Sequence, residues 1–556
     1  MKRFSALVAA AGLAATAAAA QTGGIDAGRL SQHVKVISSD AYEGRGPATP
    51  GETKTIAYLE GQLKTMGLQP GGDLGKDGKR LWTQAVPLAR FEITGPLKAS
   101  FTASGQVQPV TQGNEVAIRA PQTNVGAVDI KDAPIVFAGY GVTAPERNWD
   151  DFKGMDVKGK ILFVLVNDPD FETPPGFKDG GDFGGKAMTY YGRWTYKYEE
   201  AARRGALGLF VIHETAPAAY GWATVKNSNT NAQFDIVRDK PAAAHPLIEA
   251  WIQRDETAAL LQKAGLDFEA LKKAAQRRDF QPVTLKGVTF STAFKVDHHV
   301  ITSYNVAARE TGAKRPDETV IYSAHWDHLG VGEPDAKGDR IYNGARDNGT
   351  GVAALLELGR AFGKAPRTDR SVLFLFVTAE EKGLLGSAYY ADHPLYPLAK
   401  TVADINMDSL SVYGLEKDMS TSGSGQTDLQ TTLARYLKAE GRDYTPDPKP
   451  ETGGFYRSDH FSFAKVGAPA ISVKSGQDLV KGGRAAGAAA EAAYTRDKYH
   501  QPADEWSADW DLAGQVQDLE LLYRMGRGLA DSDQWPGWNA DSEFKAIRDK
   551  TAAERK

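Results

Sequence analysis

Four apolar runs in the second half of the chain constrain its fold more than any other feature of the sequence. ETVIYSAHWD, SVLFLFVTAEE, TVADINMDS and APAISVKSG each pack aliphatic and β-branched residues with little interruption. Such runs are typical of strands that are buried on both faces of a mostly parallel sheet. The helical segments GTGVAALLELGRAFGK and LQTTLARYLKAEGR lie between them. The pattern predicts an α/β fold with a mostly parallel, mixed sheet and helices on both of its faces.

Length and composition exclude several other classes of protein. A chain of 556 residues exceeds the size at which one hydrophobic core usually grows, so two or three domains are expected. A hydrophobic fraction of 42% with 24% charged residues is ordinary for a soluble globular protein. The net charge of -4 gives no reason to expect a nucleic-acid partner.

The first residues predict export. Lys2 and Arg3 precede an apolar, alanine-rich stretch from Ala6 to Ala20, which predicts a signal peptide over residues 1–20 with cleavage after Ala20. The stretch is shorter than the ~20 residues that span a bilayer, so no stable membrane insertion is expected after cleavage. The sequence has no cysteine, which excludes disulfides, thiolate zinc sites and a cysteine nucleophile. Export without disulfides favours a periplasmic or extracellular bacterial protein.

Acidic and imidazole residues gather where the apolar runs end. They are His325 and Asp327 after the first run, Glu380 and Glu381 after the second, and Asp408 after the third. Ligands of open α/β sheets bind outside the carboxyl ends of the strands, so these side chains should meet at one edge. Asp347 comes from the loop NGARDNGTG that opens a helix, and His500 comes from the late loop RDKYHQPADEW.

Counting ligands at this edge gives two metal sites. Zinc binds His nitrogen and Asp or Glu oxygen, and a pair of zinc ions ~3.5–4 Å apart can hold both the attacking and the leaving oxygen of a hydrolysis. Two such cations need an anion between them. We therefore predict that Asp347 bridges two Zn²⁺ ions, that His325 and Asp408 complete one site, and that Glu381 and His500 complete the other.

Two further carboxylates have predicted roles beside the metals. Glu380 is left without a metal next to the ligand Glu381, which suits a general base. Asp327 follows His325 by two residues and is expected to hold the second N–H group of that imidazole. Each short motif taken alone is weak evidence, because an Asp at a helix start is usually a cap and an EE pair usually lies on a solvated surface. The prediction depends on all of these motifs occurring together in one chain.

The motifs SAHWDHLG, NGARDNGTG, TAEEKGLLGS, INMDS and DKYHQPAD resemble the signature blocks of the co-catalytic zinc aminopeptidase family. That family includes leucyl aminopeptidases, aminopeptidase Y, glutamate carboxypeptidase II, the glutaminyl cyclases and the inactive transferrin receptor. The resemblance implies a phosphorylase/hydrolase-like zinc exopeptidase fold, two zinc ions, the same five ligands, Glu380 as the base and Asp327 as the orienting aspartate. It covers most of the chain after Val296.

The segment from 111 to 292 resembles an insert found in several exopeptidases. GYGVTAPERNWDDFKGMDVKGKILFVLV and YEEAARRGALGLFVIHE are similar to the β-rich protease-associated domain. We therefore predict an N-terminal part of the peptidase domain at 21–110, a protease-associated insert at 111–292 that supplies no metal ligand, and the zinc peptidase domain at 293–556. The Gly-rich stretch at 176–194 favours an exposed loop over a lid at the active site.

The block FYRSDHFSF resembles a family segment near the substrate, which implies Tyr456 as a hydrogen-bond donor to the oxyanion. Phe455 is the alternative in the neighbouring register. Ser458, Asp459 and His460 are consecutive, so their side chains point in different directions and cannot form a catalytic triad.

These features predict a metallopeptidase that acts on peptide substrates, most naturally as an aminopeptidase. A carboxypeptidase or dipeptidase of the same family is the first alternative. A cyclase is disfavoured because the ligand set suits two metals, and an inactive binding protein like the transferrin receptor is disfavoured because every ligand is present. A serine hydrolase is disfavoured by the lack of a GxSxG context.

Overall fold

The computed structural model describes residues 22–174, 177, 182–332, 334–423, 426–540 and 542–555. The predicted signal peptide at residues 1–20 lies outside the described residues. Within the described ranges, no helix is both long and apolar enough to cross a membrane.

The four apolar runs form neighbouring parallel strands, as the sequence predicts. Their order across the sheet is Ala470–Ser475, Thr401–Met407, Arg315–His325 and Arg370–Val377. Antiparallel neighbours flank this group: Asp418–Thr421 lies beside the first strand, and Val283–Glu310 lies beside the last. Two short strands, Asp443–Tyr444 and Gln69–Pro70, add to these flanking strands. The sheet is therefore mixed around a parallel centre.

Alternate side chains of the parallel strands enter two different cores. Val320, Tyr322 and Phe374 point to one face, where they pack against five helices. These helices are Ala27–Ile37, Pro50–Thr65, Gly349–Lys364, Asp428–Ala439 and Ala513–Asp531. Ile321 and Leu375 point to the other face, where the helices Leu385–Asp392 and His460–Lys465 cover them. Because strand side chains alternate, unbroken apolar runs require helices on both faces, and this prediction is confirmed.

The segment 111–292 builds a second parallel group with its own hydrophobic clusters. Its strands are Ala127–Phe137, Ile161–Leu165, Gly208–His213 and Ile248–Gln253, with Val116–Ile118 antiparallel at the edge. Its helices are Trp194–Arg203, Thr215–Ala218, Trp222–Asn229, Arg254–Lys263 and Phe268–Ala275. Of its two clusters of buried residues, one lies entirely within the segment, and the other also includes Ala99, Phe101, Ala103, Val110, Phe294 and Val296 from the flanking strands. Its assignment as a protease-associated domain stays a prediction.

Two long antiparallel strands run through both halves of the molecule. Thr83–Ala103 pairs with Val283–Glu310 from Thr83 opposite Val306 to Ala103 opposite Val288. Gln106–Val110 and Gln233–Ile236 pair with the first of these strands. The strand Val283–Glu310 passes through the predicted domain boundary at 292, so no break in secondary structure marks that position.

The other elements are short or lie near the C-terminus. The small strand pairs are Thr143–Ala144 with Trp149–Asp150, and Gly330–Val331 with Ile341–Tyr342. Two further helices, Gly483–Asp497 and Lys545–Lys550, lie before and after the helix Ala513–Asp531.

Candidate metal centre

The sheet brings the predicted ligands to one edge. His325 is the last residue of its strand, Asp408 follows the strand that ends at Met407, and Glu381 lies shortly after the strand that ends at Val377. Asp347 precedes Asn348, which caps the helix Gly349–Lys364 by accepting a hydrogen bond from Gly351 N. Parallel strands place their carboxyl ends on one side of the sheet, which explains why ligands far apart in sequence lie together.

Two of the predicted carboxylate ligands lie close to the imidazole of His325. Nε2 of His325 lies 3.4 Å from Oδ1 of Asp347 and 3.6 Å from Oδ1 of Asp408. A tetrahedral zinc with bonds of about 2.0–2.1 Å separates its ligand atoms by about 3.3 Å. The distances from His325 to Asp347 and to Asp408 are therefore close to those between two ligands of one zinc ion.

A second group uses the other oxygen of Asp347. Nε2 of His500 lies 3.2 Å from Oδ2 of Asp347 and 3.2 Å from Oε2 of Glu381. Oδ1 of Asp347 thus faces the first group and Oδ2 faces the second. This is the arrangement of a carboxylate that lies between two cations.

The electrostatics of the edge also fit cations. Burial opposes protonation of His325 and His500, but the surrounding carboxylates raise the pKa of both imidazoles well above the ordinary value. Burial likewise opposes ionisation of Asp408, yet Lys474 and hydrogen bonds from His325 hold the pKa of Asp408 below the ordinary value. The carboxylates therefore require nearby positive charge. Zinc would displace the imidazole protons, since it binds neutral histidine and ionised carboxylate.

Glu380 lies inside the same cluster. Its carboxylate is within 4.8 Å of ligand atoms of both His325 and Asp408. Burial raises the pKa of Glu380 well above its usual range, which is the direction expected for a group that accepts and returns a proton. Its predicted role as base, and the metal-binding roles of its neighbours, stay predictions.

Asp327 lies beside His325 but makes different contacts from those expected. Nδ1 of His325 is 3.1 Å from the backbone carbonyl oxygen of Asp327 and 3.7 Å from its Oδ1. The carboxylate of Asp327 instead accepts hydrogen bonds from the backbone N–H groups of Glu380, at 3.0 Å, and Glu381, at 3.4 Å. Asp327 therefore orients the imidazole through its main chain and fixes the turn that carries the two glutamates.

The hydroxyl of Tyr456 forms its hydrogen bond away from the predicted metal ligands. Its side chain is buried among Phe455, Phe461 and Tyr190, and its hydroxyl donates to Oε1 of Glu543 at 3.0 Å. Burial and the Glu543 carboxylate raise the pKa of Tyr456 well above its ordinary value. The predicted oxyanion contact would require that hydroxyl to leave Glu543.

The consecutive residues Ser458, Asp459 and His460 form no catalytic triad. Ser458 Oγ donates to Oδ2 of Asp408 at 2.8 Å, and Oδ1 of Asp459 accepts from Ser387 at 2.7 Å. Both ring nitrogens of His460 are buried with no hydrogen-bond partner in the described part of the chain. Ser458 thus supports a predicted metal ligand.

Sequence reasoning missed three residues that organise the site. His328, in the same motif as His325, places its Nδ1 2.7 Å from Oε1 of Glu381. Asp504, in the motif of His500, accepts hydrogen bonds from the backbone N–H groups of Arg346 and Asp347 at 3.1 and 3.0 Å. The only signal for these two residues was their position inside the motifs SAHWDHLG and DKYHQPAD.

Arg45 is the third missed residue, and it comes from the N-terminal part of the chain, far from any ligand in sequence. It is fully buried and donates to the backbone carbonyls of Ile37, Trp326, Asn343 and Gly344 at 2.6–3.0 Å. Burial lowers the pKa of Arg45 to about 10, against the opposing effect of the acidic cluster. Arg45 therefore contributes a fixed positive charge beneath the ligands.

Comparison with known proteins agrees with this geometry. The family model described as Peptidase family M28 matches residues 305–523, the range that holds every predicted ligand. The chain is 27% identical over 480 residues to the probable lipoprotein aminopeptidase LpqL of Mycobacterium tuberculosis, covering 83% of this chain and 76% of that protein. It is 27% identical over 261 residues to aminopeptidase Y of Saccharomyces cerevisiae, covering 44% of this chain and 42% of that protein.

Among solved structures, the aminopeptidase from Aneurinibacillus sp. strain AM-1 aligns with 93% of this chain and 95% of its own, with a TM-score of 0.48 and 20% identity. The sequence matches confirm the family that the motifs predict. The match to aminopeptidase Y spans less than half of that relative. The match of residues 305–523 to Peptidase family M28 therefore supports the zinc aminopeptidase family that the motifs predict.

Proposed function

We propose that this protein is an aminopeptidase that removes N-terminal residues from peptides with the help of two zinc ions. One observation carries the proposal: the two oxygens of Asp347 face two separate His and carboxylate pairs, His325 with Asp408 and His500 with Glu381. The names of the relatives LpqL and aminopeptidase Y support the choice of the N-terminus.

Zinc, when bound by these five residues, supplies Lewis-acid polarisation of a carbonyl and lowers the pKa of water. The chain supplies the proton transfer. Glu380 takes a proton from the attacking water and returns it to the nitrogen of the leaving amine, which a carboxyl with a raised pKa can do in both directions. Asp327 keeps Glu380 in place by holding the backbone of the turn.

The supporting contacts keep the ligands rigid. Ser458 holds the second oxygen of Asp408, His328 holds the second oxygen of Glu381, and Asp504 holds the backbone at Asp347. Ligands whose remaining atoms are hydrogen-bonded lose less entropy when a metal binds, and such partners typically change metal affinity by about 10–100-fold.

We also propose that the protein is exported, on the basis of the N-terminal sequence and the name of its lipoprotein relative. The segment 111–292 supplies none of the proposed ligands. In the described part of that segment, no group of three or more His and acidic residues is spaced to hold a metal.

Peptidase assays test the proposal directly. Zinc-loaded protein should hydrolyse leucine p-nitroanilide and peptides with a free amino terminus, but not the same compounds with an acetylated terminus. The activity should disappear after chelation and return with Zn²⁺. Equal hydrolysis of free and acetylated peptides would refute the aminopeptidase assignment, and it would favour a carboxypeptidase if a free carboxyl terminus were also required.

A further inference from the structure

Two arginine side chains near the candidate metal centre have no anionic partner. Arg193 precedes the helix Trp194–Arg203 of the segment 111–292, and Arg457 follows the turn Gly454–Tyr456 of the peptidase half. Across the described ranges, neither side chain forms a hydrogen bond or an ion pair, and Nε of Arg193 is buried.

Two other arginines with little exposed side chain are paired with carboxylates. Arg119 lies 3.0 Å from Glu249, and Arg442 lies 2.6 Å from Asp518. A guanidinium removed from water is costly unless a carboxylate or several hydrogen bonds compensate it. The unpaired state of Arg193 therefore needs an explanation.

Arg457 lies next to the metal ligands. The following residue, Ser458, donates to the carboxylate of Asp408 at 2.8 Å. On the other side, the ring of Tyr499 stacks on the ligand His500 with centroids 3.9 Å apart. Burial raises the pKa of Tyr499 above its ordinary value, and the charges of His500 and Arg457 oppose this rise. Arg457 is therefore an exposed residue whose main chain adjoins the support of Asp408 and whose charge acts on the neighbour of His500.

The segment 111–292 brings Arg193 to the same place. Met188 N donates to the carbonyl of Pro450 at 3.1 Å, and the ring of Tyr190 lies 5.3 Å from that of Phe461. The expectation of an exposed loop at 176–194 differs from this packing, because Met188 is only 8% exposed.

Arg193 itself packs on Gly453, four residues before Arg457. A Cβ atom on Gly453 would lie 3.3 Å from Cδ of Arg193, and the φ angle of Gly453 is +63°. Burial lowers the pKa of Arg193 to about 10, and the nearby charge of Arg457 adds to the effect. Two like charges are therefore held near each other by packing between the two halves of the chain.

We propose that Arg193 and Arg457 together bind a carboxylate of the peptide substrate, so that the segment 111–292 supplies part of the specificity site. This inference rests on the proposed peptidase function. Two guanidinium groups suit this ligand because each can donate two parallel hydrogen bonds to a carboxylate. The carboxylate could belong to the C-terminus of a short peptide or to an acidic side chain, and the two sources predict different substrate preferences.

Matched peptides test the inference. One set compares Leu-Ala, Leu-Ala-Ala and Leu-Ala-Ala-Ala with their C-terminal amides, and a second compares Leu-Glu-Ala amide with Leu-Gln-Ala amide. The wild-type protein should prefer the carboxylate member of at least one set in kcat/KM by about 10- to 100-fold, the usual effect of a hydrogen bond to a charged group. A preference in the first set identifies the C-terminus, and a preference in the second identifies the side chain.

Two variants assign the preference to the arginines. Arg457→Gln, at an exposed position, and Arg193→Gln should each bring the ratio of the preferred pair close to one. Arg435→Gln removes an exposed guanidinium without an ion pair in the described structure from a distant helix, and it should leave the ratio at the wild-type value. Equal rates for both members of both sets in the wild type, or an unchanged ratio in Arg193→Gln and Arg457→Gln, would overturn the inference.

Leucine p-nitroanilide, which has no carboxylate, separates the two claims. Hydrolysis of this compound without any carboxylate preference among the peptides overturns the arginine site alone. A zinc-loaded protein that hydrolyses neither this compound nor any of the peptides overturns the proposed function and the inference together.

Discussion

The substitution Glu380→Gln is the sharpest test of the proposed chemistry, because Glu380 and Glu381 are adjacent, chemically alike and assigned different tasks. Glutamine has nearly the same shape as glutamate but cannot accept a proton. The turn should persist, since Asp327 holds it through the backbone N–H groups of both residues and not through their side chains. Only the proton transfer is removed.

The expected loss follows from the position of Glu380. Its carboxylate lies within 4.8 Å of ligand atoms of His325 and Asp408, a distance that one water molecule can span. Removal of a general base at such a position typically lowers kcat by about 10²–10⁴-fold, which corresponds to about 3–5 kcal/mol of activation free energy. KM should change little, because the lost interaction exists only in the transition state.

Zinc content and kcat of three variants complete the experiment. Glu380→Gln should keep its zinc and lose turnover. Glu381→Gln removes the carboxylate 3.2 Å from His500 and should lose zinc, with activity partly restored by excess zinc. Glu269→Gln, at an exposed position of the segment 111–292, is the control and should change neither. Near-normal turnover of Glu380→Gln, or zinc loss in that variant but not in Glu381→Gln, would show that the roles are wrongly assigned.

Three other predictions concern metal content and stability. Protein saturated with zinc and then desalted should contain two zinc ions per chain by elemental analysis, because Asp347 faces two ligand pairs; one ion per chain would contradict the bridging role. Arg45→Met removes hydrogen bonds to four buried carbonyls and should lower the free energy of unfolding by about 4 kcal/mol; a change below about 1 kcal/mol in denaturant titration would refute the stabilising role of this arginine. His245 is partly buried, which opposes its protonation, yet Glu249 at 2.7 Å and Asp235 at 3.1 Å raise its pKa from 6.5 to about 9. Its stabilising effect, at most about 3 kcal/mol, is present below pH 6.5 and lost as pH rises through 9. His245→Gln should make the free energy of unfolding less dependent on pH over that range. If this pH dependence were the same as in the wild-type protein, the imidazole would not be protonated in the folded state.

The amino-acid sequence by itself determined the sheet and the position of the site. Runs such as SVLFLFVTAEE are typical of strands covered on both faces, and residues at the carboxyl ends of parallel strands share one edge. For this reason the local pattern was enough to group His325, Glu381 and Asp408. The prediction of which residues bind metal followed from the same pattern, since zinc accepts a small set of atoms.

Contacts between distant segments were decided only by the tertiary structure. Arg45 lies beneath the ligands because the segment after the first helix packs under the strand ends, and no local pattern encodes that approach. The hydroxyl of Tyr456 donates a hydrogen bond to Glu543, which lies near the end of the chain. Arg193 meets Gly453 only because the segment 111–292 packs on the peptidase half. Periodicity records which side of an element is buried, but not which distant side chain completes the hydrogen bonds and charges there, because those partners are chosen by three-dimensional packing.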